Sequence, residues 1–159
     1  MKSNLLILIS ILGINSITIA QVKVYKDSSG YTSDVICTVT DRKVFKKTST
    51  YTADIICTAK GNKIYKGTST YSSDVLYTIT DGRVFKGNSS YTSDIHLTIR
   101  DGKIYKGTST YTSDILATIN DGKIYSGTST YTSDIEYTMD GDVTIEEFMA
   151  IWYAVKYSY

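Results

Sequence analysis

The feature that most constrains this chain is a 20-residue repeat that runs without slippage over residues 23–142. The phrase GTSTYTSDI stands at residues 107–115 and again, letter for letter, at residues 127–135, and four looser copies precede it at the same spacing. Self-similarity at a fixed period is typical of architectures in which each repeat is one supersecondary unit that buries its apolar face against its neighbours. Six copies therefore predict a six-fold structure rather than one asymmetric active site.

Each repeat carries two strand signals and a tight turn. In the copy at residues 103–122, the short strand signal covers 103–106 and the longer one covers 114–120. Asp121 and Gly122 follow at once, and Asp-Gly favours a two-residue hairpin turn because both turn residues need a positive φ. The longer strand of one repeat is therefore predicted to form a hairpin with the short strand of the next.

The order of these strands predicts a closed sheet. The repeats begin with a short strand at residues 23–26 that has no longer strand before it, and they end with a longer strand at 134–139 that has no short strand after it. Pairing of these two segments would close the sheet and leave no exposed edge. We therefore predict, over residues 21–142, an all-β fold: a shallow, closed, symmetric barrel of about six β-hairpins.

Alternation along the strands predicts which side chains face the core. Val75, Tyr77 and Ile79 alternate with polar or variable positions, and the positions of Val75 and Ile79 are apolar in every copy. This face is predicted to be the core face. The only histidine, His96, then falls on the opposite face of its strand.

One position on the predicted core face varies widely in size from copy to copy, whereas its neighbours do not. Its six residues are Cys37, Cys57, Tyr77, Leu97, Ala117 and Tyr137. A symmetric barrel must lose its symmetry where something asymmetric touches it. We therefore expect these side chains to contact the C-terminal tail or to crowd each other near the axis.

The last segment, residues 143–159, has a helical pattern. Thr144 and Glu147 form a capping-box motif, and mostly apolar helix-forming residues follow to about Lys156. A helix of ~18 Å is too short to cross ~30 Å of hydrocarbon. Because this helix is apolar almost all round, it favours burial as a plug of the barrel; the alternatives are self-association and insertion into a membrane interface. The candidate interaction surface for those alternatives comprises Phe148, Ile151, Trp152 and Tyr153.

The first 20 residues are typical of a secretory signal peptide. Lys2 precedes an apolar run at residues 5–14, and Ala20 supplies a small residue at the expected cleavage point. The mature chain would begin at Gln21, and the protein is expected to be periplasmic or secreted. Without Lys2 the chain has 16 basic and 16 acidic residues. Because nucleic-acid binding needs a basic surface, this balance argues against a nucleic-acid partner.

The repeated IYKGTSTYTSD segment, the Asp-Gly turns and the ending DGDVTIEEFMAIWYAVKY resemble the bacterial five-fold β-flower proteins. The resemblance covers essentially the whole mature chain. It implies a secreted or periplasmic protein with a shallow, symmetric barrel of hairpin petals and a hydrophobic C-terminal tail. This chain has six copies of each strand rather than five. The resemblance implies no biochemical activity, so it bears on the fold rather than on the function.

No residue is marked as catalytic. His96 has no partner in a recognisable triad motif, each Ser is one of a repeated set, and no nucleotide loop or metalloprotease motif is present. We therefore predict a protein that is not an enzyme and has no cofactor or metal site. A calcium loop starting at Glu136 would lack the usual Asp at its first and third positions, and the capping box already accounts for Thr144 and Glu147.

Two further series repeat with the hairpins. Aspartates that open the longer strands are expected to hold the preceding turn through hydrogen bonds, with a cation-binding circle of carboxylates as the alternative. Aromatic residues recur twice in each copy and are expected to pack between hairpins, whereas exposed phenol rings would favour stacking on sugars. The aspartates are Asp34, Asp54, Asp74, Asp94, Asp114 and Asp134. The tyrosines of the second aromatic series are Tyr31, Tyr51, Tyr71, Tyr91, Tyr111 and Tyr131.

The two cysteines leave two interpretations open. Cys37 and Cys57 occupy the same position in adjacent copies, and an exported chain meets an oxidising compartment in which a disulfide can form. Two buried free thiols that act as small apolar side chains are the other interpretation.

Taken together, these features predict an exported, non-enzymatic repeat protein that presents a symmetric surface for binding or for a structural role. Two alternatives stay open. One is a membrane-interface protein that is anchored or oligomerised by its hydrophobic C-terminal helix. The other is a glycan-binding module that uses its repeated tyrosines.

Overall fold

The computed structural model describes residues 21–157, so the predicted signal peptide, residues 1–20, lies outside the described residues. Twelve strands form one closed antiparallel barrel in which neighbours in sequence are neighbours in space. Strand β1 (Val22–Lys26) pairs with the last strand, β12 (Ile135–Met139), and this pairing closes the barrel. The predicted all-β closed barrel of six hairpins with one C-terminal helix is confirmed.

The strands between β1 and β12 alternate between six and four residues. They are β2 (Val35–Thr40), β3 (Lys43–Lys46), β4 (Ile55–Lys60), β5 (Lys63–Lys66), β6 (Val75–Thr80), β7 (Arg83–Lys86), β8 (Ile95–Arg100), β9 (Lys103–Lys106), β10 (Ile115–Asn120) and β11 (Lys123–Ser126). A single 3-10 turn precedes each longer strand, at Thr32–Asp34, Thr52–Asp54, Ser72–Asp74, Thr92–Asp94, Thr112–Asp114 and Thr132–Asp134. The only α-helix in the described range, α1, covers Ile145–Tyr157.

The two-residue turns adopt the predicted geometry. Asp81 has a φ of 50° and Gly82 a φ of 73°, and the flanking residues pair in the expected register, with Ile79 opposite Val84. A Cβ atom on Gly82 would lie 2.5 Å from the carbonyl oxygen of Ile99, in the next hairpin. Glycine is therefore required at this position both by the positive φ and by the close approach of the neighbouring backbone. We call the side of the barrel formed by these turns the turn end.

Strict alternation fails at the start of each longer strand because every one carries a β-bulge. Phe85 pairs with Ile95 and Val84 pairs with Leu97, so His96 is the extra residue. Cross-strand partners share a face, and Phe85 lies on the outer face. Ile95 therefore lies outside the barrel, and the bulge re-aims His96 toward the lumen.

Two predictions about the core face are therefore wrong. Val75, the equivalent of Ile95, is buried but lies outside the central core, between the petals and not with Ile79 in the lumen. His96 does not face away from the core, because its equivalents Ile56 and Leu76 belong to the core or pack against it. The bulge adds one residue, and one residue reverses the face on a strand.

Helix α1 passes through the lumen of the barrel. Near its start, Thr144 and Phe148 line a hollow with Ile99 at the turn end. Near its finish, the hydroxyl of Tyr157 hydrogen-bonds His96 at the opposite side of the barrel, which we call the loop end because it carries residues 27–34 and their five equivalents. Thirteen residues give a helix of about 20 Å, which is the length that a strand of six residues spans.

The helix is buried on nearly every side. Six of its residues are buried: Phe148, Met149, Ala150, Ile151, Trp152 and Ala154. The inward side chains of the short strands belong to the same core, and all six are fully buried: Val24, Val44, Ile64, Val84, Ile104 and Ile124. This packing matches the plug that the apolar sequence favours. Among residues 21–157, no helix has the length and apolar character needed to cross a membrane.

Candidate binding surface

The variable position described above lies around α1. All six of its side chains are buried in the core that contains the helix. The Cys57 thiol lies 3.5 Å from the carbonyl oxygen of Ala150, and the phenol ring of Tyr77 meets that of Tyr153 edge-on at 6.1 Å. Contact with the tail is confirmed for these two positions. The helix lies closest to β2–β5, where Cys37, Cys57 and Ala59 are small enough to admit it.

Both cysteines are free thiols in this structure. Strand β3 lies between the strands that carry Cys37 and Cys57, which sets their backbones about 10 Å apart. A disulfide requires Cα atoms within about 7 Å of each other, so the native backbone does not allow this pair to bridge. Burial raises the pKa of Cys37 to about 12, and it raises the pKa of Cys57 as well. The two thiols therefore act as small, unreactive apolar side chains.

The four tail residues predicted as an interaction surface lie mostly inside the barrel. Phe148, Ile151 and Trp152 are buried, and Tyr153 is half-buried. As packed here, these side chains contact the barrel of their own chain. They would reach a membrane or a second chain only if α1 left the lumen.

His96 belongs to an aromatic cluster that packs against the C-terminal end of the helix. Its imidazole stacks on the phenol ring of Tyr77 at 5.5 Å, and its Nε2 lies 3.1 Å from the hydroxyl of Tyr157. Loss of solvent, with a smaller contribution from the Lys86 ammonium, lowers the pKa of His96. The partners of His96 are aromatic, so the residue fills a packing role that alternation on its strand could not reveal.

The segment proposed as a calcium loop is used otherwise. Glu136 lies on β12, and its carboxylate accepts a hydrogen bond from the Lys156 ammonium at 2.5 Å. The backbone N–H of Glu147 donates to the Thr144 hydroxyl, and the Glu147 carboxylate accepts from the Thr144 backbone, so the capping box is formed. Across residues 21–157, no three His, Cys, Asp or Glu side chains are grouped to hold a metal ion.

The six loops at the loop end share one hydrogen-bond pattern. In the first loop, the Ser29 hydroxyl donates to the Asp34 carboxylate at 2.5 Å, and the backbone N–H of Tyr31 donates to the same hydroxyl at 3.1 Å. The carbonyl oxygen of Tyr31 then accepts from the backbone N–H of Asp34 at 2.9 Å. The other five loops repeat these bonds. The predicted turn-holding role of the aspartates is confirmed.

In loops held by these hydrogen bonds, six tyrosines are exposed to solvent. Their side chains are 74–77% exposed, and they are Tyr31, Tyr51, Tyr71, Tyr91, Tyr111 and Tyr131. The first aromatic series behaves differently, because four of its six members are buried and the other two are half-buried. The buried members are Tyr25, Phe85, Tyr105 and Tyr125, and the half-buried ones are Phe45 and Tyr65. Packing therefore explains one aromatic series and leaves the other without a role in the core. We call the six exposed side chains the tyrosine circle.

Polar groups lie beside the tyrosine circle. Tyr51 lines a hollow of about 540 Å³ together with Lys46, Lys47, Thr48, Ser49 and Asp54, and we call it the second-loop hollow. A groove of about 390 Å³ lies beside β7 and β8, and its walls carry Arg83, Arg100, Asp81 and four threonines. Aromatic faces flanked by hydroxyl and charged groups suit a polar ligand that also has an apolar face.

The closed barrel of six equivalent hairpins, with its symmetric loop end, defines a class of flower-like repeat proteins. The family model described as 6-fold beta flower protein matches residues 24–152, and the chain belongs to this family. The resemblance to β-flower proteins is thus correct, but the five-fold assignment is wrong: this barrel closes with six hairpins because each of the six copies contributes one. No curated protein and no solved structure gives a significant match to the chain.

Proposed function

We propose that this protein is an exported, non-enzymatic binding protein whose tyrosine circle binds carbohydrate. The observation that carries the proposal is the repeated exposure of six tyrosines, each 74–77% accessible, on loops whose backbone is fixed by hydrogen bonds. Large aromatic side chains that contribute nothing to a core indicate a surface that contacts something else.

The chemistry of tyrosine fits a sugar ligand. The face of a phenol ring stacks on the apolar C–H face of a pyranose, and the hydroxyl at its tip hydrogen-bonds the hydroxyls at the rim of the sugar. Thr48 and Ser49 line the second-loop hollow together with Tyr51, and a serine recurs at the position of Ser49 in every loop. Each loop therefore offers a stacking platform with hydrogen-bonding groups next to it.

The symmetry of the barrel would turn weak single contacts into useful affinity. Six equivalent platforms on one rigid scaffold let a polymer that has bound one tyrosine meet the next at high effective concentration. A polysaccharide presents the same unit many times, so its repetition matches the repetition of the loops. Export follows from the signal-like residues 1–20 and would place the protein where such polymers occur.

The test compares two six-fold variants of the mature chain in pull-downs with insoluble cellulose, chitin and peptidoglycan. Replacing the six exposed tyrosines by Ala should weaken binding at least about tenfold, whereas replacing them by Phe should preserve most of it, because Phe keeps the stacking face. Both variants should keep the unfolding temperature of the parent, since these side chains lie outside the core.

Failure of the parent to bind any of the three polymers, or equal binding by the Ala variant, would overturn the proposal. Co-sedimentation with anionic vesicles, with and without residues 143–159, tests the membrane alternative in the same preparation. Pelleting that requires the tail would favour an anchor, which would need α1 to leave the lumen in which six of its side chains are buried.

A further inference from the structure

Resting on the proposed carbohydrate binding, we infer that the second-loop hollow is a specialised subsite for an acidic sugar unit, one that carries a carboxylate. The six loops share their backbone and their hydrogen bonds, but they do not share their charges. Lys47 is the one basic residue at its position in the repeat.

Lys47 occupies a backbone conformation that favours glycine. Its φ is 50°, and four of its five equivalents are glycines with nearly the same φ: Gly67, Gly87, Gly107 and Gly127. The fifth equivalent is Asp27. A lysine in the left-handed region costs folding free energy that glycine avoids. A strained residue at an otherwise regular position points to a functional demand on its side chain.

The charge of Lys47 is available to a ligand. The ion pairs within residues 21–157 join other residues, and neither Lys46 nor Lys47 takes part in one. Both lysines line the hollow beside the exposed Tyr51. Lys47 also lines a neighbouring hollow of about 380 Å³ together with Lys26. Lys47 therefore borders both hollows, with Lys46 in the first and Lys26 and Asp34 in the second.

The balance of charge separates this loop from the rest. In the third, fourth and fifth loops, one lysine before the loop is matched by the aspartate at its end, so the loop is neutral. The first loop adds Asp27 and the sixth replaces the lysine by Ser126, so both are net negative. Only the second loop, with Lys46, Lys47 and Asp54, is net positive. Its aspartate is held by the Ser49 hydroxyl at 2.6 Å and is half-buried.

These groups match the chemistry of a uronic acid. Its pyranose ring can stack on Tyr51 while its carboxylate accepts hydrogen bonds from the ammonium groups of Lys46 and Lys47. A neutral sugar could use the tyrosine but would leave both charges unpaired. Selectivity for acidic units would therefore come from this loop, and avidity from the other five.

The test uses polygalacturonate and its fully methyl-esterified form, which share one backbone and differ in the carboxylate charge. The parent chain should bind the acidic form more tightly, and added salt should reduce that preference. Lys47→Gly should weaken binding of the acidic form about three- to fivefold and leave binding of the ester unchanged. Its unfolding temperature should stay equal to that of the parent or rise, because glycine fits the backbone.

Two further variants sharpen the comparison. Lys47→Gln keeps the side chain but removes the charge, and should reproduce the loss seen with Lys47→Gly. Gly67→Lys copies the second loop into the third. A Cβ atom there meets only the carbonyl oxygen of Ile55, at 3.9 Å, so no clash opposes the lysine, and its positive φ carries the same backbone cost as at Lys47. This variant should tighten binding of the acidic form by a similar factor. Lys60→Gln, at the exposed turn end, serves as a control that should change neither polymer's affinity.

The outcomes separate this inference from the proposed function. Equal binding of acidic and esterified polymers by the parent, or unchanged affinity in Lys47→Gly, overturns the acidic subsite and leaves carbohydrate binding standing. Binding of polyacrylate, a polyanion without sugar rings, as tightly as polygalacturonate also overturns the subsite. No binding of any polysaccharide, neutral or acidic, overturns the proposed function and the subsite with it.

Discussion

The lumen and the loop end of this barrel are built from the same six repeats. The side chains of the loop end keep the six-fold symmetry, whereas those around the helix break it. Around the helix, one repeat position holds Cys, Tyr, Leu and Ala side chains in different copies, and the core follows the outline of α1. At the loop end, each copy places the same Ser, Tyr and Asp in the same hydrogen bonds. The comparison shows that side chains around the asymmetric helix differ from copy to copy, whereas the side chains that hold the loops do not.

The contrast also indicates where selection for function and selection for packing act. A helix that fills the lumen favours neighbours of different sizes, because no six-fold surface matches a helix. Nothing in the fold requires six exposed tyrosines to stay identical, since they pack against no core. Lys47 is an exception at the loop end, because four of its five equivalents are glycines.

The largest expected effect comes from removing the asymmetric element itself. Deletion of residues 143–159 removes four large buried side chains, Phe148, Met149, Ile151 and Trp152, each worth about 1.5–3 kcal/mol of burial, and their sum is comparable to the whole stability of a domain. We expect the cooperative thermal transition followed by circular dichroism to disappear, and Cys37 and Cys57 to react with a thiol reagent that leaves the parent untouched. A matched surface change, Tyr31→Ala, should shift stability by less than about 0.5 kcal/mol. A truncated chain with the parent's unfolding temperature would contradict the plug.

A smaller effect is expected where equivalent turns differ in their surroundings. Gly82→Ala should destabilise the protein by about 2–4 kcal/mol, because it combines a positive φ with a clash against the Ile99 carbonyl oxygen at 2.5 Å. Gly61→Ala changes the first position of the equivalent turn, where a Cβ meets nothing within 4 Å, and should cost only about 1 kcal/mol. Urea unfolding measures both. Equal costs would show that the close approach of neighbouring hairpins does not matter.

The comparison itself can be tested by copying residues between repeats. Cys57→Tyr copies Tyr77 into the second repeat, where the fully buried Cys57 lies against Ala150, and should cost about 1–3 kcal/mol through overpacking. Ser72→Thr copies the residue of the other loops into the third and should change stability by less than about 0.5 kcal/mol. If the two substitutions proved equally mild in urea unfolding, the lumen would not be adapted to the helix.

The smallest expected effect concerns pH. Because the pKa of His96 is lowered in the fold, the neutral imidazole is the form the folded state favours. The stabilisation that the neutral imidazole contributes is fully present above a pH of about 6.5, which is the pKa of histidine in the unfolded chain. It is lost as the pH falls through the lower pKa that His96 has in the folded state. Between about pH 7.5 and 5, the parent should lose up to about 2 °C more in unfolding temperature than His96→Leu, whose leucine matches Leu76 and Leu116. Identical pH profiles would contradict this account.

Much of the candidate site follows from local sequence. The Ser and Asp that flank each tyrosine predict a hydrogen-bonded loop, and those bonds form six times over. The exposure of the tyrosines does not follow, because two aromatic series have the same period and only one is buried. Which series faces solvent depends on the path of the loop beyond the last strand residue, and residue identity does not report that path.

The sequence by itself determined the number of hairpins, the turn geometry and the closure of the barrel, because period, Asp-Gly pairs and unpaired terminal strands are local or countable features. Tertiary structure alone decided that a β-bulge turns His96 and its equivalents toward the lumen and moves Val75 and its equivalents out of it. The bulge lies between neighbouring hairpins, where β7 pairs with β8, and it is absent within the hairpin that joins β6 to β7. It therefore belongs to the way in which hairpins join in the closed sheet, and no single hairpin contains that junction.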